Sequence, residues 1–369
     1  MHSSLESIIF YSSPPLWDTD KRAQGKARFY RIVQYFEKVA ANDNRPYNQP
    51  KLVRLTYDYA RSEASKDMFL QVFFHLAELP IEGEDDINLH DESGRLGSVV
   101  SEFADYLFAN LFLPLRTSSG KTPQLSPQGE GGVQHFVGTP ELVASLRGEC
   151  LLRDRYRCVI SRRFDYEEAA RRLENSPDAV DNDGSLLSAE AQFDRLEVAH
   201  ILPHSLTKTE KGAELVRSST QAALDILNMF DNGVLHLIEG SDIDRPRNAI
   251  TLTSTLHASF GSFHLFFEPV PDKENTYRIQ SFRSPLLLRN LPVVRELFLT
   301  EDRNIEPPSP RLLALHRAIG HILHLSGAGD YIDRILRDTE WKDTRADGST
   351  QLGHLVSLKI QGWLGQEVH

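Results

Sequence analysis

His200, Asn248 and His257 are the residues whose types and spacing point to chemistry. His200 lies near the end of the apolar run LEVAHIL, Asn248 precedes the apolar run AITL, and His257 stands nine residues after Asn248. Together they suit hydrolysis of a phosphodiester. A water must lose a proton beside the phosphorus, and neutral imidazole accepts protons near pH 7. Charge developing on the phosphate and leaving oxygen must be offset by a divalent cation. His200, at a strand end, fits the general base, and His257, on a helix facing that strand, fits a cation ligand. Asn248 can hydrogen-bond across the intervening loop, fixing the strand that carries the base or orienting His200. Each residue alone has a plainer use. A strand-end histidine is commonly a satisfied polar group, an asparagine after Asp-Arg-Pro-Arg is first a turn residue, and His257 could simply cap or pack its helix. The three together, with AHILP before and ITLTSTLHASF after, carry the reading.

The elements that must position them are short. LEVAHIL reads as a strand ended by Pro203, and AITL as a second strand. Thr253 or Ser254 then caps a helix carrying His257. HLFFEP and YRIQSF read as paired strands, RYRCVIS as a strand entering a turn, EEAARRLE as a short helix and 174–192 as a polar loop. Ser309-Pro310 opens the helix RLLALHRAIGHILHL, closed by Gly327, and DYIDRILRDTEW is another helix. TQAALDILNMF is a helix as well.

Upstream, residues 1–116 form a helical N-terminal region. ARFYRIVQYFEKVA sets Phe29, Ile32, Val33 and Phe36 on one helical face, and two longer apolar runs follow. The acids Glu82, Glu84, Asp85, Asp86, Asp91 and Glu92 between those runs read as a solvated loop. Residues 117–137, rich in Ser, Gly, Pro and Gln, are a linker. Thr139-Pro140-Glu141 starts the next helix. The domain bearing His200, Asn248 and His257 follows over 138–300, with its core at 147–270, and 301–369 form a C-terminal helical extension.

Bulk composition bounds the function. The chain has 369 residues and a formal net charge of −11, so it lacks the overall basic excess of a generic nucleic-acid binder. A local exception lies between Arg147 and Arg172, with eight arginines against five acids. Arg155, Arg157, Arg162 and Arg163 are candidate phosphate contacts there, a solvated helix face being an equal alternative, and His204 could touch phosphate or assist His200, solvent exposure being its commoner fate. Two cysteines, Cys150 and Cys158, make no disulfide scaffold and no CxxC zinc knuckle. No signal peptide is recognised, and no window of about 20 apolar residues is expected to span a bilayer. The expected location is intracellular, cytoplasmic or nuclear.

RDRYRCVIS, EVAHILPHSL, ALDILNMFDNGV, RNAITLTSTLHASFGSFHLFFEP and LLALHRAIGHILHLSGAGDYI resemble the fungal HNH nuclease domain proteins over about residues 145–335. The resemblance implies an α+β fold: a ββα-metal core with a helical N-terminal region and C-terminal helices. It implies an endonuclease with His200 as general base, Asn248 as the central asparagine and His257 as a metal ligand. The metal would be Mg²⁺ or Mn²⁺ first, with Zn²⁺ or Ni²⁺ as alternatives, and the partner nucleic acid, DNA ahead of RNA. Two usual ligand positions depart from the pattern, because Ala199 and Gly261 carry no donor atom. Glu197 shares a strand face with Ala199 by period-two alternation and can replace it. His264 or Asp244 can supply another donor. The departures and the acidic charge keep a second reading open, a catalytically weakened HNH fold that binds nucleic acid or protein. Residues 1–116 could serve a protein partner.

Overall fold

The computed structural model describes residues 17–41, 45–83, 88–118, 140–190, 192–207, 214–289, 291–300 and 302–342. In chain order the elements are α1 (Thr19–Ala40), α2 (Gln49–Asp58), α3 (Glu63–Leu76), α4 (Ser93–Leu107), α5 (Leu113–Ser118) and α6 (Pro140–Arg153). Then come β1 (Phe164–Asp165), α7 (Tyr166–Asn175), β2 (Phe193–Asp194), β3 (Leu196–His200) and α8 (Glu214–Phe230). The chain continues with β4 (Ala249–Thr253), α9 (Ser254–Gly261), β5 (Leu265–Pro269), β6 (Thr276–Ser281), β7 (Val293–Glu296), α10 (Pro310–Ser326) and α11 (Ala328–Lys342). This is an α+β protein.

Two units alternate along the chain. One comprises Met1–Thr117, Glu210–Leu235 and His321–His369, and the other Ser118–Thr209 and His236–Gly320. The division is discontinuous, where the sequence suggests consecutive domains at 1–116, 138–300 and 301–369. The segment read as linker falls mostly outside the described residues, as do Glu84, Asp85 and Asp86 of the acidic loop.

The first unit is built from amphipathic helices with conventional starts. Asp18, Asn48 and Ser62 each accept a hydrogen bond from the backbone N–H three residues on, so α1, α2 and α3 begin where a side chain satisfies an orphan donor. Phe29, Ile32, Val33 and Phe36 are buried, as their spacing requires. The Phe29 ring meets Phe73 edge-on at 4.9 Å and Tyr57 at 4.9 Å. Arg22 makes a bidentate pair with the buried Asp67, at 2.7 and 2.6 Å. α8 belongs to this unit: the Phe230 carbonyl accepts from the Arg61 N–H at 3.0 Å, and the Asn232 N–H donates to Ser65 Oγ at 2.9 Å. A π-helical turn, Phe108–Phe112, links α4 to α5. The continuous helix Ser93–Thr117 is long and apolar enough, by length and composition, to cross a membrane. The expectation of no such window therefore needs correcting. Leu96, Val100, Phe103, Leu107, Leu111 and Phe112 of this helix are buried within the protein.

The second unit holds the site. β3 and β4 pair antiparallel, from Leu196 opposite Thr253 to His200 opposite Ala249, and α9 starts at the residue after β4. Leu146 and Cys150 of α6 pack with Val198 and Ala249 on one face of this pair. The floor is fixed by Arg153, fully buried at the end of α6. Its guanidinium donates to Asp154 at 2.8 and 2.9 Å and to the carbonyls of Pro246, Ala249 and Glu306 at 2.8, 2.9 and 3.2 Å. Asp154 in turn accepts from the Thr251 N–H at 3.1 Å. A buried ion pair with its remaining donors and acceptors satisfied in this way holds β4 in place.

β5, β6 and β7 form an antiparallel sheet after α9. The pairing of β5 with β6 follows the sequence expectation; β7 was not foreseen, because VVRE is too short and charged to signal a strand. RYRCVIS is a turn and not a strand. Its Arg157 makes a lone bridge to Phe164, and β1 pairs with β2 in parallel over two residues. Beyond the end of α9, Phe263 takes a left-handed backbone (φ 53°), with its N–H bonded to the Phe260 carbonyl and the His264 N–H to that of Ser259. His316 of α10 lies between the Phe260 and Phe263 rings, at 3.9 and 4.5 Å, and pairs with the Phe260 carbonyl at 3.0 Å. Gly320 permits this approach, because a Cβ there would meet the Phe263 carbonyl oxygen at 3.0 Å.

Candidate active site

β3 carries acid and base on both of its sides. Residues 197 and 200 are three apart, so alternation directs Glu197 and His200 to opposite faces. Each is the centre of its own hydrogen-bonded group.

On the face turned to α9, Glu197 Oε2 lies 2.6 Å from His257 Nδ1, and Glu197 Oε1 accepts from Ser254 Oγ at 2.7 Å. Partial burial tends to raise the Glu197 carboxyl, but the hydrogen bonds from Ser254 and His257 outweigh it and hold it below its usual range. It is therefore an ionised, acceptor-only oxygen donor beside an imidazole.

At the end of β3, His200 Nε2 and His204 Nδ1 both lie 2.9 Å from Asp244 Oδ1. The Asp244 side chain is 7% exposed and the His200 side chain 4%. Burial again raises the carboxyl, and the two histidine hydrogen bonds overcome it, so Asp244 sits well below the ordinary carboxylate range. An ionised Asp244 can only accept. His200 therefore donates through Nε2–H, and in the neutral ring its lone pair is left on Nδ1. That Nδ1 has no protein hydrogen bond among the described residues.

Asn248 supports this end of the strand without touching His200. Its side-chain oxygen accepts from the Leu202 N–H at 3.0 Å, and its Nδ2 donates to the carbonyls of Leu202 at 3.0 Å and Ile243 at 2.8 Å. The Asn248 carbonyl accepts from the Ile201 N–H at 2.8 Å. One fully buried side chain thus ties the turn after β3 to the loop bearing Asp244. Of the two roles the sequence left open, this is the holding one.

The structure brings some candidate residues together and separates others. Glu197 joins His257, as the strand-face argument implies. His200 and His257, read together as base and cation ligand, belong to different hydrogen-bonded groups. His264 is not beside His257; its Nε2 is 2.7 Å from the Arg283 guanidinium, because the left-handed turn at Phe263 starts a new strand there. Gly261 lies inside α9 and does not make the bend, which falls at Phe263. His204 faces inward to Asp244.

The candidate phosphate-binding arginines all have partners. Arg155 pairs with Asp183, Arg157 with Asp181 at 2.6 Å and Glu190 at 2.9 Å, and Arg163 with Asp194 at 2.8 Å. Neither an open basic groove nor a solvated helix face describes them; they brace the turn between α6 and β1. Arg162 differs. It donates to the Glu296 carbonyl and lies 4.0 Å from the Phe298 ring, while its NH1 is buried with no partner among the described residues. Burial, and then the charge of Arg295, lower its pKa.

Sequence reasoning named Asp244 only as one of two spare donors, and it missed Ser254 as a partner of Glu197. Asp244 lies in the irregular DIDRPRN turn, where no periodicity marks an inward-facing acid.

The two antiparallel strands, the following helix and the His–Asn–His order are the arrangement that the HNH resemblance implies. In agreement, residues 158–268 match the family model HNH_2, described as HNH endonuclease. No curated protein matches the chain, and no solved structure does.

Proposed function

We propose that the protein is an HNH-type endonuclease that hydrolyses phosphodiester bonds in DNA with a divalent metal ion. The observation that carries this reading is the His200–Asp244 pair at the end of β3, inside the segment that matches the nuclease family. Asp244 fixes the His200 tautomer, and Nδ1 takes a proton from water. Asn248 holds the turn that sets this ring against β4. Glu197 and His257 are the metal residues. An ionised carboxylate beside an imidazole fits Mg²⁺ or Mn²⁺, ions that complete their shells with water and phosphate oxygens. When bound, such an ion offsets charge on the phosphate. Arg162, which among the four candidate arginines has the unsatisfied donor, is the proposed phosphate contact. An intracellular site of action belongs to the same proposal.

One observation favours a binding module as a second reading. Arg155, Arg157 and Arg163 are neutralised by acids, as in a domain built for stability and not for a polyanion. Plasmid cleavage across Mg²⁺, Mn²⁺, Ni²⁺ and Zn²⁺, with His200→Ala as control, separates the two. Nicking or linearisation by wild type and not by the variant supports the nuclease. Absence of both cleavage and DNA binding under every metal supports the module, then one that serves a protein partner.

A further inference from the structure

The group His200, His204 and Asp244 offers more than an oriented base. One ligand atom from each residue lies within 4.8 Å of the others. Both imidazole nitrogens converge on the same carboxylate oxygen at 2.9 Å. The ring centroids of the two histidines are 6.1 Å apart, so the rings are angled toward a shared point and are not stacked. The backbone beneath is held by the Asn248 bonds to Leu202 and Ile243, which brings the β3 turn and the Asp244 loop to one place.

We infer that His200, His204 and Asp244 form a binding site for a zinc-class divalent cation, separate from Glu197 and His257, whose filling withdraws His200 from proton transfer. Two imidazoles and one carboxylate suit Zn²⁺, Ni²⁺ or Co²⁺, and suit Mg²⁺ poorly. Tetrahedral zinc with bonds of about 2.0 Å needs its ligand atoms roughly 3.3 Å apart, so the two hydrogen bonds to Asp244 need open only slightly.

The proton count gives the consequence. In the metal-free site His200 carries its proton on Nε2 and His204 on Nδ1, both facing Asp244. A cation occupying those atoms requires their lone pairs, so each neutral ring moves its proton to the other nitrogen with no net release. His200 then holds a proton on Nδ1 and cannot accept another there. Only this consequence rests on the proposed role of His200 as base; the cation site itself does not.

Titration of the full-length protein with Co²⁺, read by visible absorption, tests the site. The expected result is one equivalent bound with a d–d band that Zn²⁺ displaces. His204→Gln and Asp244→Asn should each weaken binding at least ~10-fold, the loss seen when even supporting residues of metal sites are removed. His257→Gln should leave the band unchanged. No band in wild type, a band kept in His204→Gln, or one lost in His257→Gln overturns the inference. Long-range ¹H–¹⁵N spectra of wild type avoid any folding defect of the variants: Zn²⁺ should move the His200 proton from Nε2 to Nδ1, and an unmoved tautomer overturns the proposed withdrawal. Absence of cleavage under every metal, with the Co²⁺ band and tautomer shift present, removes the nuclease reading and leaves this site standing.

Discussion

The two sides of β3 pair acids with histidines in opposite ways. Glu197 is 30% exposed and serves one imidazole and one hydroxyl, whereas Asp244 is 7% exposed and serves two imidazoles. The exposed carboxylate can exchange a partner for a cation and its waters at little cost. The buried one has its charge compensated by histidine donors and fixes their tautomers. The strand thus separates a face suited to a hydrated ion from an end suited to a fixed proton acceptor.

Substitution of His200 is the strongest way to break this contrast. His200→Ala is expected to lower cleavage about 10²–10⁴-fold at any metal concentration, the usual contribution of a general base. Because its ring is buried and bonded to Asp244, the change should also cost about 1–3 kcal/mol of stability, read by denaturant unfolding. Equal activity in variant and wild type, with contaminating nuclease excluded, refutes the base assignment.

Asn248→Ala comes next. Among its bonds are two to Leu202 and one to Ile243, and their loss from a fully buried site should destabilise the protein by about 2–3 kcal/mol. The His200 side should loosen while the Glu197–His257 pair persists. Imidazole NMR signals that broaden for His257 instead of His200 would reverse the assignment.

Glu197→Gln should raise the Mg²⁺ or Mn²⁺ concentration giving half-maximal cleavage by roughly 10–100-fold. At saturating metal the turnover should be close to wild type. A fall in turnover without a change in metal requirement would move Glu197 from ion binding to the proton-transfer side.

A further effect concerns acid stability on the helix side. His316, buried between Phe260 and Phe263, has its pKa lowered to about 3 by burial, only partly opposed by its bond to the Phe260 carbonyl. The folded protein therefore keeps this ring neutral while the unfolded chain protonates near 6.5. Its contribution is intact above the unfolded value and is lost as pH falls from there toward 3, at up to roughly 1.4 kcal/mol per pH unit. His316→Gln should flatten this limb of the stability curve between pH 6.5 and 4. An unchanged slope would show that His316 does not set it.

Legibility in the sequence followed periodicity. Phe29, Ile32, Val33 and Phe36 gave α1 because an apolar face repeats at 3.6 residues, and LEVAH and AITL gave strands because they are short and β-branched or alternating. His200, Asn248 and His257 stood out by order and context, and the alternation argument found Glu197. Contacts across long separations could not be read. Asp244 reaches His200 from 44 residues away in an irregular turn. The partners of Arg155 and Arg157 lie 24 to 33 residues on, so the arginines looked like an available cationic cluster. α8 looked continuous with the nuclease-like core because its apolar face carries no mark of the unit that buries it.

The buried Arg153 knot has a consequence for how the site breathes. Its guanidinium and Asp154 hold the Pro246 and Ala249 carbonyls and the Thr251 amide, while Asn248 holds the amides of Ile201 and Leu202. These amides share one buried polar network, so freeing any of them exposes ions and carbonyls that need the others. In hydrogen exchange they should behave as a single late-opening block, with nearly equal protection, surrounded by faster-exchanging turns. The His200 end of the strand would then open in one step or not at all.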